Sequence, residues 1–273
     1  MLKRKIFAVA LPIIAGATIV GSGFAAWVFG TQTTTFKGPT IGIEITEDAN
    51  LDNISVKTWV TLKDVAGTSS ETIEYVPTAH EFVVELDQGS RSEATPNITD
   101  ADRGIRIKDN KSTKLLEKIQ FAVYSEDESL FNLKNAGFEV KLNTTINFNP
   151  TLLNYISVKE TNTWFEHAGT LTTEGTTGVY KTGEKDVIIN NGTGNNHEYY
   201  TEVGTNRMTI NTGSEVDETT GENKTYHSNK LFTWSKKPAN SEELGTMRTE
   251  LGSIKEGITI AFDLSVVDPT ITK

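Results

Sequence analysis

Residues 258–266, ITIAFDLSV, put Ile258, Ile260, Phe262, Leu264 and Val266 on one face of an extended chain and Thr259, Ala261, Asp263 and Ser265 on the other. Successive side chains leave a strand on opposite faces, so this period of two reads as a half-buried strand. The same alternation recurs in TIGIEIT (40–46), ISVKTWVTL (54–62), EFVVEL (81–86), KIQFAVY (118–124) and FEVKLNTTINF (138–148). In the last segment Phe138, Val140 and Leu142 share a face that Ile146 and Phe148 continue. Thr and β-branched residues dominate these runs, and clusters of Gly, Pro, Asn and Asp separate them. The pattern predicts an all-β fold, an antiparallel jelly-roll-like β-sandwich with long loops.

Two short helices are expected within it. In NSEELGTMRTEL (240–251), Asn240 and Glu243 form a capping box, and Leu244, Met247 and Leu251 recur at helical spacing. Ser125 with Glu128 offers a second cap ahead of Leu130 and Leu133, and Gly137 can end that helix. Between about 160 and 235 the chain is polar and rich in Gly, Thr and Asn, with short strand candidates such as DVIIN, EYYTEV, RMTIN and KLFTWS. This region reads as hairpins with long loops attached to the sandwich, or as a second subdomain.

Lys3, Arg4 and Lys5 precede a charge-free run from Ile6 to Gly30. A basic start, an apolar run and small residues at its end are the requirements of a secretory signal. Cleavage is expected at Ala25 or Ala26, and a cut after Ala25 puts the small Gly23 at −3. The alternative is a retained membrane anchor, since the run is about the twenty residues needed to cross a bilayer. Pro12 and the glycines at 16, 21, 23 and 30 favour processing. The expected organisation is a signal peptide or anchor at 1–26, a linker or donor strand at 27–39, and a β-sandwich domain at 40–273.

The chain has no cysteine, so its stability must come from a hydrophobic core and not from disulfides. It counts 26 basic and 36 acidic residues for a formal net charge of −10, and loss of Lys3, Arg4 and Lys5 leaves 23 against 36. Such a surface repels phosphate backbones, which argues against nucleic acid as a partner.

Recognisable catalytic motifs are missing. His80 and His197 are each followed by Glu, but the position of a second zinc-binding His is taken by Val84 and Thr201. There is no G-x-S-x-G and no phosphate-cradling glycine loop. A carboxylate pair assembled by the fold would make a secreted hydrolase, the weakest of the readings. TDADRGIRIKDN (99–110) resembles the start of a calcium loop, with Asp100, Asp102 and Asp109 as candidate ligands, although Gly104 stands where a third ligand usually sits. The competing reading is a polar turn that leads into GIRIK. Among the tryptophans, Trp59 alternates within a strand and reads as core. A carbohydrate- or surface-ligand-binding module would instead use Trp164, Tyr199 and Tyr200 beside the long loops.

The stretch VGSGFAAWVFGTQTTTFKGPTIGIEI (20–45) resembles the N-terminal region of the TasA/camelysin family of secreted bacterial matrix proteins. It has the same order: a Lys-rich start, an apolar run with a glycine cluster, an aromatic cleavage zone, a Thr-rich linker with Phe, then an alternating strand. The last strand, ITIAFDLSV, extends the likeness. The resemblance implies a jelly-roll released by a dedicated signal peptidase. It also implies fibres in which the freed N-terminal segment of one subunit pairs into the sheet of the next. Trp27, Phe29, Phe36, Ile41, Ile43 and Ile45 are then the candidate assembly residues. Ile41, Ile43 and Ile45 can equally form the first strand of their own domain, which would leave 27–37 as the donor. The expected function is that of a secreted surface or matrix protein that assembles with itself or adheres to other matrix proteins, without catalysis. Contact with a membrane is expected only through residues 6–29, if these are retained.

Overall fold

A computed structural model describes residues 35–47, 54–65, 68–87, 91–92, 95–96, 104–125, 129–166, 171–173, 178–183, 185–186, 198–199, 207–213, 215–216, 227–236, 238 and 241–267. Its strands of three or more residues are β1 Thr35–Glu47, β2 Ile54–Lys63, β3 Ser70–Glu74, β4 Phe82–Asp87, β5 Ile105–Asp109 and β6 Leu115–Ser125. They continue with β7 Glu139–Phe148, β8 Ile156–Val158, β9 Val179–Lys181, β10 Met208–Asn211, β11 Phe232–Trp234 and β12 Glu256–Val267. The helices are α1 Ser129–Asn135, α2 Pro150–Leu153, α3 Thr161–Trp164 and α4 Ser241–Gly252. Every segment singled out for alternation is a strand, and the chain is predominantly β.

One ladder runs through most of these strands in the order β10, β6, β5, β4, β1, β12, β7, β9, with β2 on the free side of β6 and β3 beyond it. β6 and β12 stand four steps apart in this ladder, which would separate them by about 19 Å in a flat sheet. The rings of Phe121 on β6 and Phe262 on β12 nonetheless lie 4.5 Å apart. The sheet therefore folds over into two layers. The fold line is the β5–β6 hairpin, whose strands share only the Lys108–Leu115 bridge. One layer is β3, β2, β6 and β10; the other is β5, β4, β1, β12, β7 and β9. Between them lie Val56, Val60, Leu62, Ile119, Phe121 and Val123 from the first layer, and Val84, Leu86, Leu142, Ile146, Ile260 and Phe262 from the second.

The second layer is mixed, not purely antiparallel as expected: β1 runs parallel to β12 and antiparallel to β4. Alternation has the same period in either polarity, so TIGIEIT and ITIAFDLSV could not report direction. The polar region between 160 and 235 adds β10 and β9 to the large sheet, beside β6 and β7, while β11 pairs with β8 in a separate two-stranded sheet. Phe148 holds this region to the core through edge-on contacts with Trp164, Tyr180 and Phe232 at 5.6 to 6.1 Å.

α4 buries Leu244, Met247 and Leu251 as its spacing requires. The Tyr155 hydroxyl donates to Glu250 Oε2 at 2.6 Å, and burial with the Glu250 carboxylate pushes the phenol up to about 12. α1 begins at Ser129, so Ser125 is the buried end of β6 and not its cap; Gly137, at φ +90°, ends it as expected. Among the described residues no helix is long and apolar enough to cross a membrane, and residues 1–26 lie outside them. Phe262 is fully buried at the contact between the layers, so Phe262→Ala is expected to cost about 3–5 kcal/mol, measured by chemical denaturation.

Candidate functional site

The N-terminal strand changes partners along its length. Thr35, Phe36 and Lys37 pair with Asp87, Leu86 and Glu85 of β4. Ile41, Ile43 and Ile45 pair with Ile258, Ile260 and Phe262 of β12. Thr40 belongs to both ladders: it pairs with Val83, and its backbone N–H and hydroxyl both donate to the Lys255 carbonyl, at 3.0 and 2.6 Å. The register slips by one residue against β4 between Lys37 and Thr40. Gly38 and Pro39 occupy that slip, where proline's missing N–H costs no ladder bond. These two residues thus form a bulge inside one continuous strand. The junction expected after residue 39 falls within β1, and Phe36 belongs to the strand with Ile41, Ile43 and Ile45. An added Cβ at Gly42 would stand 3.1 Å from the carboxyl end of Glu256, an exposed side chain that would have to shift by a few tenths of an ångström. Trp27, Phe29, Ala25 and Ala26 lie outside the described residues.

Asp109 is the described member of the candidate calcium set; Asp100 and Asp102 lie outside the described residues. Its side chain is fully buried at the end of β5. Oδ1 accepts from the backbone N–H groups of Glu81 and Lys111 at 3.1 and 3.0 Å. Oδ2 accepts from the Ser112 hydroxyl at 2.6 Å and lies 2.8 Å from His80 Nδ1. These four contacts use the usual acceptor sites of a carboxylate, so Asp109 serves as a brace for its turn. Among the described residues no group of three His, Asp or Glu is set to hold a metal. Ser112 and His80 both point at the same Asp109 oxygen, an arrangement unlike a nucleophile relay, in which the serine bonds the histidine. The His80 ring stacks against Phe82 at 5.9 Å and Tyr75 at 6.4 Å.

Of the candidate ligand-binding aromatics, Trp164 and Tyr199 are among the described residues. Trp164 is completely buried, and its indole N–H donates to the Lys159 carbonyl at 2.8 Å, so it offers no face to a ligand. Tyr199 lies in a two-residue strand that pairs with Val123, and Tyr200 is outside the described residues. Trp59, expected in the core, is on the solvent side of its layer. Its register partners Gln120 and Glu74 share that side, while Val60 and Leu62 face inward. It is only 9% exposed because the Arg207 guanidinium lies 3.6 Å over its ring and Lys57 stands 5.9 Å from the ring centre. The phase of ISVKTWVTL carried this signal, since Trp59 is out of step with Ile54, Val56, Val60 and Leu62. The Asp109 brace had a signal too, in the Asp and Ser of DNKS three residues apart.

Comparison with protein-family models, with curated proteins and with solved structures yields no match to this chain.

Burial raises the Asp109 carboxyl, but the bonds from Ser112, His80 and the Glu81 and Lys111 backbone outweigh it and hold the group below its ordinary value. A folded-state pKa below the unfolded one contributes stability above about pH 3.9 that is lost as pH falls through the folded value. Asp109→Ala is expected to cost about 2–4 kcal/mol at neutral pH. It should also flatten the loss of stability below about pH 4, read from denaturant melts across pH.

Proposed function

We propose that this chain is a secreted bacterial surface or matrix protein, built on a jelly-roll-like sandwich, that assembles by exchanging its N-terminal strand between copies. The observation that carries the reading is the position of β1. It is the first strand among the described residues, it fills a place between β4 and β12, and residues 48–53 lead from it to β2. A strand so placed forms the same ladder whether β4 and β12 belong to its own subunit or to the next, so exchange costs little beyond the hinge.

The likeness of residues 20–45 to the start of TasA/camelysin proteins supports the same reading. Cleavage near Ala25 would free the segment ahead of β1 outside the cell, which restricts polymerisation to that compartment. Head-to-tail exchange yields filaments where the rotation from one subunit to the next does not close a ring. The strand must also overcome the mutual repulsion of an acidic chain, and the paired isoleucines of β1 and β12 supply apolar burial for that purpose.

Three preparations test this: protein that begins at Trp27, protein that begins at Asn50 and lacks β1, and the latter with a synthetic peptide of residues 27–47. Negative-stain microscopy is expected to find filaments from the first and none from the second. The peptide should bind the second and restore its cooperative melt. Filaments without β1, or none from the form that begins at Trp27, would contradict the reading.

A further inference from the structure

β3 covers β2 only from Trp59 to Lys63, and after Glu74 the chain turns away from β2. The last link is the Tyr75 backbone N–H, which donates to the Thr58 carbonyl at 2.8 Å. Beyond this point a cleft of about 270 Å³ opens beside β2, with Ile43 and Val56 as its aliphatic lining. Tyr124, Tyr75 and Pro77 line it, and Lys57, Glu74 and Ser55 bring polar groups to it. Lys57 Nζ lies 2.8 Å from Glu74 Oε2 and 4.5 Å from the centre of the Tyr124 ring. The side chains of Lys57 and Glu74 are 25% and 54% exposed, so both can be reached from solvent.

We propose that this cleft binds one ring of a neutral saccharide. Its volume lies just below the range of about 300–1,000 Å³ for drug-sized ligands, which sets the occupant at a single ring. The polar groups decide its charge. An anion drawn to Lys57 would meet the Glu74 carboxylate at the same place, and an amine drawn to Glu74 would meet the Lys57 ammonium. A wholly apolar ring would bury the ion pair without replacing its water. A neutral polyol avoids all three costs: one hydroxyl donates to Glu74, a neighbour accepts from Lys57, and Ser55 serves a third. The apolar face of the same ring packs against Tyr124 beside Lys57, which already overlies part of that ring. This site is separate from Trp164, Tyr199 and Tyr200, and it does not depend on exchange of β1.

Calorimetric titration of the full chain with glucose, galactose, N-acetylglucosamine and their short oligomers tests the assignment, with glucuronate as the anionic control. Saturable binding of at least one neutral sugar is expected, tighter than that of glucuronate. Tyr124→Ala should weaken it by about tenfold, the scale of one lost ring contact, while Tyr124→Phe keeps the ring and most of the affinity. Glu74→Gln, a surface change that leaves the melt unaltered, should weaken it as well. The assignment is overturned if no neutral sugar saturates, if glucuronate binds more tightly, or if Tyr124→Ala with an unaltered melt binds as the parent does.

Discussion

The parallel pairing of β1 with β12 joins the first and last of the described strands, and the second layer is incomplete without it. The Thr40 hydroxyl bonds a carbonyl 215 residues away, so the link closes a loop of most of the chain. Contacts this distant in sequence are slow to form, because the entropy of closing the intervening loop is lost before the contact returns anything. Until then β4 and β12 each present an unpaired edge. The same edges that await β1 in folding are the ones that the proposed exchange would fill with β1 from another copy.

Much of the layer structure was readable from alternation alone, because burial on one face writes a period of two into each strand. ITIAFDLSV, ISVKTWVTL and FEVKLNTTINF show this directly. What alternation does not carry is polarity and partnership. TIGIEIT reads the same beside β4 or β12, parallel or antiparallel, and only the Gly38 and Pro39 bulge shows where it passes from one to the other. Proline signalled a departure from regular pairing, and a bulge meets that requirement as well as a chain break does.

Side chains in unusual places were harder to foresee. Trp59 looked like core because large aromatics usually are, yet Arg207 and Lys57 bury it from the solvent side with their own side chains. Asp109 looked like a ligand because of its acidic neighbours, yet its oxygens are spent on the turn that joins β5 to β6. Both cases turn on contacts between residues distant in sequence, His80 with Asp109 and Trp59 with Arg207. The cleft beside Lys57 arises in the same way, from the point at which β3 leaves β2 and not from any motif.

The absence of cysteine makes a direct measurement of strand exchange practicable. Ile43 and Ile260 are register partners on β1 and β12, and the spacing of neighbouring strands falls within disulfide reach. The variant Ile43→Cys is made in one tagged preparation and Ile260→Cys in a second with a different tag; the two are mixed, allowed to assemble and oxidised. Strand exchange predicts a disulfide joining the two tags in assembled material and none in unassembled monomer. Assembled filaments without that crosslink, together with a doubly substituted chain that closes its disulfide only within itself, would contradict the account.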